Sequence, residues 1–359
     1  MRQNTSQQFS LKRFFDEIFS RDFTERVKRH SSELQSFYLS EPQLHELAAM
    51  NTVRRMFVLL FWILRALFYK LTLWRRVLFV AGIIFMLNIK FDNTNIHGNA
   101  LLGMTAFILI ILLELKDKLL AHDELAEGRK IQQALMPDAN PHMEGYSLWL
   151  YTRSANEVCG DLIDVLSLDS RRKSFVLADV AGKGLHAALL TAKLQATIRA
   201  LAYEETSLSS LIHRVNTIFF RDSPANLFAS LLYFEIHSAS NIIQFVNAGH
   251  LPPVVVRAGI PEESSKGDPA IGLARSIDYV QRTVTLNSHD ILFAYSDGVT
   301  DAKNIRGEFF GKERLMQFLS KNKRDEAEQI GLALITELDR FMSTERQTDD
   351  ISLIIIQRQ

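Results

Sequence analysis

From about Met143 onward, the chain alternates short, strongly apolar segments with turn-forming residues. Segments of this length, rich in β-branched and aromatic residues, predict strands in SFVLADV, LFASLLYFEI, NIIQFVNAGH, DILFAYSDGV and DISLIIIQ. Longer stretches with helical periodicity lie at about residues 185–203, 208–221 and 325–341. Because these helices stand between groups of strands and do not alternate with single strands, the pattern predicts an α+β fold with antiparallel sheets.

Aspartate recurs where these apolar segments begin or end. A single aspartate at a strand end is usually a solvated turn residue or a helix cap. Here four separate segment ends carry aspartate, and three of them adjoin near-continuous apolar runs, which are typical of buried strands. This indicates that the ends converge at one edge of a core. The positions are Asp161, Asp164, Asp179, Asp297, Asp349 and Asp350.

Carboxylates that converge repel one another unless cations lie between them. Carboxylate oxygens are hard ligands, which suit Mg²⁺ or Mn²⁺ better than Zn²⁺. Two such ions about 3.5–4 Å apart can activate a water molecule and neutralise a phosphoryl group under attack. The aspartates therefore predict bound divalent cations and chemistry on a phosphate.

The segment DVAGKGLHAALL joins a predicted strand to a predicted helix through a turn with two glycines. It is not a P-loop, because that motif needs glycine five residues before Gly182 and serine or threonine after Lys183. Leu177 and Gly184 stand at those two positions. Two interpretations stay open, a helix N-terminus that faces an anion and a plain strand–turn–helix connection.

The segments NEVCGDLID, VLADVAGKGLHAALL, FVNAGHLPP, LFAYSDGVTDAKN and RQTDDISLIII resemble, in this order, the motifs of PPM-type (protein phosphatase 2C-like) serine/threonine phosphatases. They are most similar to the bacterial SpoIIE group, which regulates sigma factors, and IQQALMP resembles the segment that leads into those domains. The resemblance covers about residues 131–359. It implies that residues 143–359 form two antiparallel β-sheets packed face to face and flanked by helices, with two metal ions at one end.

The resemblance also implies roles for individual residues. Asp179 would bridge two Mn²⁺ or Mg²⁺ ions, with the backbone carbonyl of Val180 as a further ligand. Asp297 and Asp349 would complete the two sites, and Asp161 would hold a third, weakly bound metal or a ligating water. The family uses metal-bound hydroxide as nucleophile, so Asp179 and Asp297 are the expected catalytic residues.

Some assignments stay open at this point. Asp350 is the alternative to Asp349, because adjacent aspartates in a strand point to opposite faces. The chain has no match to the phosphate-binding arginine of the eukaryotic branch, which leaves Asn156 and Lys183 as candidates for contacting substrate phosphate. His250 is interpreted as a residue that shapes its loop, with a role as an acid as the alternative.

Two apolar runs lie upstream, at about residues 73–90 and 96–115. A membrane-spanning helix needs about 20 mostly apolar residues, which the second run provides. The first run qualifies only if Arg75, Arg76 and Lys90 extend to the headgroups. We interpret the two runs as a helical membrane hairpin that precedes the phosphatase fold. A buried helical hairpin of a soluble domain is the alternative.

Before the hairpin, within residues 53–115, an apolar segment carries Arg54, Arg65 and Arg76, which are eleven residues apart and share one helix face. This predicts a helix in the membrane interface in contact with lipid, or alternatively a third spanning segment. The excess of basic residues before the first span places residues 1–52 and the C-terminal domain in the cytoplasm, at the bacterial inner membrane.

Residues 116–142 are charged and helix-prone, with a broken apolar stripe. They predict a linker helix, which either pairs with a second copy in a homodimer or is solvated on its own. Gly128 lies within the segment and argues against a regular coiled coil.

Charge and cysteine content exclude several classes of protein. The 359 residues include 41 Lys+Arg and 41 Asp+Glu, so the chain has no net charge and does not fit a strongly basic nucleic-acid binder. This balance combines a basic segment, with 13 Lys+Arg and 7 Asp+Glu in residues 1–76, and an acidic remainder. The single cysteine, Cys159, excludes a disulfide scaffold and a zinc site of several thiolates.

Together these features predict a membrane-anchored, metal-dependent phosphatase that hydrolyses phosphoserine or phosphothreonine on a cytoplasmic signalling protein. By resemblance, the substrate would be an anti-sigma-factor antagonist. Two alternatives remain. One is a non-catalytic membrane signalling module that binds a partner through the phosphatase fold, and the other is a soluble phosphatase with an N-terminal helical domain.

Overall fold

The computed structural model describes residues 43, 46–47, 50–87, 96–224, 226–322 and 326–359. Most of the predicted N-terminal segment 1–52 and the turn of the predicted hairpin, residues 88–95, lie outside the described residues. The chain divides into two compact units, Met1–Lys118 and Leu119–Gln359.

From Thr52 onward, the described residues of the first unit include two helices and the beginning of another. They are α1 (Thr52–Lys70), α2 (Leu73–Leu87) and α3 (Ile96–Leu135), of which α3 continues into the second unit. Helix α2 and the first part of α3 pack closely, because Gly82 and Gly103 lie against each other and the rings of Phe79 and Phe107 are 5.3 Å apart.

The structure corrects the predicted boundaries in this region. Among the residues that it describes, no helix combines the length and the apolar character needed to cross a membrane. Helix α2 has 15 described residues, Leu73–Leu87, and residues 88–90 of the span predicted for 73–90 lie outside the described residues. The predicted span 96–115 and the predicted linker 116–142 are not separate elements, because α3 runs through 40 residues from Ile96 to Leu135. The helix ends just before Pro137, which cannot continue the backbone hydrogen-bond ladder.

The apolar stripe predicted for the linker is exposed in α3. Leu119, Ile131 and Leu135 are 54%, 65% and 43% exposed. Pairing with a second copy through this stripe stays a prediction.

The second unit contains two five-stranded antiparallel sheets. One has the order β1-β10-β9-β6-β7 and the other the order β2-β3-β4-β5-β8. The predicted α+β fold with two antiparallel sheets and flanking helices is confirmed. The strands of the described chain are β1 (Tyr146–Arg153), β2 (Asp161–Ser167), β3 (Arg172–Val180), β4 (Ala229–His237), β5 (Ile242–Ala248), β6 (Val254–Arg257), β7 (Ile260–Glu263), β8 (Arg282–Thr285), β9 (Ile291–Tyr295) and β10 (Ile351–Arg358).

The sheets share one apolar core, and helices cover their outer faces. In β3, Phe175 and Leu177 belong to the core between the sheets, whereas Val176 and Ala178 pack with the helices outside. Strands covered on both faces must be apolar at every position, which explains the near-continuous apolar runs. The covering helices are α4 (Leu185–Leu201) and α5 (Leu208–Asp222) on the sheet of β3, and α6 (Gly311–Lys321) and α7 (Ala327–Met342) on the sheet of β10.

Candidate metal centre

Strands β2 and β3 bring two aspartates to the same edge of one sheet. Asp161 is the first residue of β2, and Asp179 lies directly opposite it near the end of β3. Ser230 on β4 is the next cross-strand neighbour of Asp179. The alternation of antiparallel strands therefore fixes the relative positions of these three side chains.

The other sheet contributes two aspartates from the junction of β9 and β10. Asp297 begins a short 3₁₀ turn after β9, and Asp349 stands two residues before β10. The backbone of Gly298 lies directly against the carbonyl of Asp350, where any β-carbon would overlap with it. Ser296 ties the two ends together, because its hydroxyl donates to the Asp350 carbonyl (3.0 Å).

The pKa values of these aspartates are raised in part by one another's charges, so aspartates of one sheet lie near those of the other. Burial raises the pKa of Asp179 to about 6, with further contributions from the charges of Asp297 and Asp349. Burial and the charge of Asp349 raise the pKa of Asp297. Burial, followed by the charge of Asp179, raises the pKa of Asp161 well above its usual range. The protein thus holds carboxylates in a position where their ionised forms are unfavourable.

Two observations indicate that this position suits a divalent cation. Oxygen Oδ2 of Asp161 is buried and has no hydrogen-bond partner among the described residues, so it needs a positive ligand or a proton. The donor set consists of carboxylate oxygens, the ligands that Mg²⁺ and Mn²⁺ prefer. In the described part of the chain, no three acidic, histidine or cysteine side chains lie close enough together to hold a metal ion as they stand. The carboxylate of Asp349 contacts Lys183 Nζ (3.1 Å).

Val180, the predicted backbone ligand, ends β3 next to these carboxylates. The N–H of Ala229, its cross-strand neighbour, donates to the carbonyl of Ile271 (2.9 Å) and therefore does not bond to Val180. A β-carbon at Gly160 would lie 3.7 Å from the Val180 carbonyl oxygen, which places that oxygen beside the start of β2.

The structure distinguishes Asp349 from Asp350. The buried carboxylate of Asp350 accepts hydrogen bonds from the backbone N–H groups of Gly160 (2.6 Å) and Ala155 (2.7 Å). It therefore holds the loop that leads to Asp161. Asp349 points instead toward Lys183, and its role as the metal ligand stays a prediction.

Helix α3 supplies a contact that the sequence did not predict. The side-chain amide of Gln132 donates to the carbonyl of Cys159 and accepts from its N–H, each at 2.9 Å. Cys159 lies two residues before Asp161 and is buried, which raises the pKa of its thiol. In the sequence, Gln132 stands out only as part of IQQALMP, and no local pattern identifies Cys159 as its partner.

His250 shapes the site and is not placed to act as an acid. Its Nε2 lies 3.1 Å from the carbonyl oxygen of Tyr295, which can only accept, so Nε2 carries the proton. Its Nδ1 therefore accepts from the hydroxyl of Ser230 (2.7 Å). Complete burial lowers the pKa of His250 to about 4, which keeps the ring neutral.

The two candidates for phosphate contact lie at different places. A cavity of about 480 Å³ includes Asp179 and Asp297 in its lining, and neither Asn156 nor Lys183 belongs to that lining. Lys183 reaches the carboxylate of Asp349 and the carbonyl of Thr348 (3.0 Å), at the rim of the carboxylate cluster. Asn156 is exposed in the loop before Asp161.

Comparison with solved structures identifies the fold. The SiaA-PP2C domain of Pseudomonas aeruginosa has a TM-score of 0.59 and 20% identity, with 68% of this chain and 98% of that one covered. The PP2C phosphatase domain of SpoIIE from Bacillus subtilis, with a fragment of its regulatory domain, has a TM-score of 0.52 and 17% identity, with coverage of 60% and 64%. The fold is therefore that of PP2C phosphatase domains.

Curated proteins are also similar to this chain in sequence. Protein IcfG of Synechocystis sp. is 26% identical over 296 residues, which are 74% of this chain and 46% of IcfG. The phosphoserine phosphatase RsbP of Bacillus subtilis is 28% identical over 192 residues, 51% of this chain and 47% of RsbP. The chain thus spans about half the length of these two relatives.

The family Stage II sporulation protein E (SpoIIE) matches residues 169–359, just over half of the chain. The match includes β3, the junction of β9 and β10, and the three aspartates Asp179, Asp297 and Asp349. The resemblance that the sequence motifs predicted is confirmed, and the chain belongs to the SpoIIE family.

Proposed function

We propose that this protein is a metal-dependent phosphatase that removes phosphate from serine or threonine of a signalling protein. The observation that carries the proposal is the convergence of four aspartates from two sheets at one edge of the domain, with one buried carboxylate oxygen left without a partner. They are Asp161, Asp179, Asp297 and Asp349.

The chemistry follows from the character of this cluster. Bound Mn²⁺ or Mg²⁺ would supply Lewis-acid activation of water and neutralise charge on the phosphoryl group. Asp179 is the central residue, because its pKa responds to both Asp297 and Asp349. Asp161 faces Asp179 from the neighbouring strand and would complete the ligand set on the buried side. Lys183, exposed beside Asp349, would contact the phosphate group of the substrate.

For the substrate, we propose a phosphoserine in an anti-sigma-factor antagonist. The relatives RsbP and RsbU of Bacillus subtilis are phosphoserine phosphatases, and RsbU is 22% identical over 238 residues, 66% of this chain and 70% of RsbU. The sequence motifs also resemble those of the SpoIIE group, which regulates sigma factors.

The proposal is tested by hydrolysis of p-nitrophenyl phosphate by the full chain in Mn²⁺ or Mg²⁺. We expect metal-dependent turnover that Asp297→Asn lowers by about 100-fold or more. The reason is that the neutral carbonyl oxygen of asparagine is a weaker metal ligand than a carboxylate oxygen. Asp278→Asn, at an exposed aspartate outside the cluster, serves as the matched control and should retain full activity. Full activity of Asp297→Asn, or of the wild-type chain in excess chelator, would exclude the proposal.

We also propose that the N-terminal helices attach the protein to the bacterial inner membrane, with the phosphatase domain in the cytoplasm. Large apolar side chains on α2 and α3 are exposed, and an exposed apolar surface of this kind suits lipid contact. Examples are Leu73 (77%), Val77 (64%), Leu101 (65%) and Ile111 (64%). Membranes from cells that express the full chain should keep it through an alkaline carbonate wash and release it in detergent. Release by carbonate alone would contradict attachment through these helices.

A further inference from the structure

Two adjoining cavities open on the phosphatase domain, and Phe228 lines both. The first, of about 480 Å³, has Asp179 and Asp297 in one wall and Leu251, Pro252 and Lys266 among its other lining residues. The second, of about 390 Å³, is lined largely by apolar side chains, including Phe220 and Leu273. The surface that lines the two cavities, on either side of Phe228, is named here the Phe228 groove.

Hydrogen bonds and an ion pair hold two segments of the groove wall. The N–H of Asp268 donates to the carbonyl of Asn247 (2.8 Å), and the Asp268 carboxylate is paired with Arg282 (2.9 Å). These bonds fix the segment that carries Lys266. Farther along, Ala229 and Ile271 exchange two backbone hydrogen bonds of 2.9 Å. The groove is therefore a preformed surface of β4 and the segment that pairs with it.

The surface of the groove is unusual for a site that handles only a small phosphate ester. Phe220, Phe228 and Leu273 are 41%, 40% and 56% exposed, and they line the second cavity together. Exposed apolar side chains that are grouped in this way mark contact with a macromolecule more often than with solvent. Lys266, also exposed, adds a positive charge to the first cavity.

We propose that the Phe228 groove binds the polypeptide that flanks the phosphorylated residue of the substrate protein. This inference rests on the proposed function. A phosphorylated residue placed against Asp179 and Asp297 brings its neighbours with it, because an extended chain advances only about 3.3–3.6 Å per residue. The neighbours must therefore cross the first cavity, which has those aspartates in its wall. Lys266 selects an acidic neighbour there, and Phe220, Phe228 and Leu273 receive an apolar side chain farther along.

The first experiment tests the charge preference. Two synthetic phosphoserine peptides are compared with the full chain in Mn²⁺, one with aspartate and the other with lysine on both sides of the phosphoserine. We expect the wild-type chain to have the higher kcat/KM for the aspartate peptide, by about tenfold, and Lys266→Glu to reverse this order. The matched control Lys321→Glu, at an exposed lysine outside both cavities, should leave the order unchanged.

The second experiment tests the apolar part. In peptides with leucine at the outer positions, Leu273→Ser should raise KM by about tenfold with little change in kcat. Leu332→Ser serves as the control, since Leu332 is similarly exposed (52%) on α7 and lines neither cavity. Hydrolysis of p-nitrophenyl phosphate should stay within about twofold of wild type in Leu273→Ser, because this small ester, bound at Asp179 and Asp297, does not extend into the second cavity.

A binding measurement separates the groove from the catalytic proposal. The chain has one cysteine, which is buried, so Leu273→Cys and Leu332→Cys each introduce an accessible thiol. A non-hydrolysable phosphonate peptide with outer leucines should protect the thiol of Leu273→Cys from a maleimide and leave that of Leu332→Cys reactive. Protection without any phosphatase activity would retain the groove and exclude the proposed function. Equal labelling of both thiols, or an equal loss on peptides and p-nitrophenyl phosphate in the variants, would overturn the inference.

Discussion

Two adjacent aspartates show how far single residues can be interpreted at this site. The sequence indicates that Asp349 and Asp350 point to opposite faces, because side chains alternate in an extended chain. It does not indicate which one faces the metal centre. That choice depends on the backbone N–H groups of Ala155 and Gly160, which lie far away in the chain and reach Asp350 only in the folded protein.

This difference predicts different consequences of removing each carboxylate. Asp350→Ala leaves two backbone N–H groups without their acceptor, so we expect it to lower the free energy of unfolding by about 1–3 kcal/mol with or without metal. Asp349→Ala removes a charge that raises the pKa of Asp179 and Asp297, so the metal-free protein should not lose stability. It should lose the stabilisation by Mn²⁺ instead. Urea unfolding with Mn²⁺ and with chelator measures both effects, and a large loss of metal-free stability in Asp349→Ala would contradict the assignment.

At the scale of the elements, burial on both faces made some of the strands recognisable in the sequence. Strands β3, β4 and β10 appear in the sequence as near-continuous apolar runs and were predicted. Five strands were not predicted, namely β1, β2, β6, β7 and β8. The last three have four residues each, too few for a periodic pattern. Helix α6 was also missed, since its mean hydropathy is low and only Leu315 and Leu319 are buried.

The packing of α7 on β1 predicts an unusual effect of a glycine substitution. Gly331 lies against the ring of Trp149, and a β-carbon there would overlap with the ring. Glycine to alanine inside a helix normally stabilises by about 1 kcal/mol, but here we expect Gly331→Ala to destabilise by about 1–3 kcal/mol through overpacking.

Gly128→Ala in α3 provides the comparison. The nearest atom to its new β-carbon would be a methyl group of Val158 at 3.8 Å, an ordinary contact, so this variant should be neutral or stabilising. Thermal unfolding of both variants in the same buffer measures the difference. Equal effects in the two helices would show that α7 does not approach Trp149 as closely as the structure indicates.

For the whole molecule, the sequence motifs predicted the family and the occurrence of aspartates at the ends of strands. The structure adds the contacts by which distant segments hold those strand ends in place. The β9–β10 junction closes beside the carboxylates because Gly298 has no β-carbon that would overlap with the carbonyl of Asp350. Gln132 fixes the backbone before Asp161 from a helix that precedes the sheets. Contacts of this kind join residues far apart in the chain, which periodicity and turn patterns do not encode.

The carboxylate cluster also predicts how the stability of the whole domain depends on pH and metal. Asp179 has a pKa of about 6 in the folded protein, above its ordinary value near 3.9, so the folded state binds a proton more tightly than the unfolded state. The stability from this group is fully present below about pH 4 and is lost as the pH rises through 6. Without metal, its contribution should therefore fall by on the order of 1–2 kcal/mol between pH 4 and pH 7.5.

A divalent cation should replace the lost proton, so Mn²⁺ should raise the Tm more at pH 7.5 than at pH 5. Calorimetry of the wild-type chain and of Asp179→Asn, each with Mn²⁺ and with chelator, isolates this contribution from other titrating groups. In chelator, the stability difference between wild type and Asp179→Asn should shift against wild type as the pH rises, and the variant should respond weakly to Mn²⁺. A difference that stays constant from pH 4 to 7.5, together with an equal response of both proteins to Mn²⁺, would show that Asp179 neither holds the excess proton nor binds the metal.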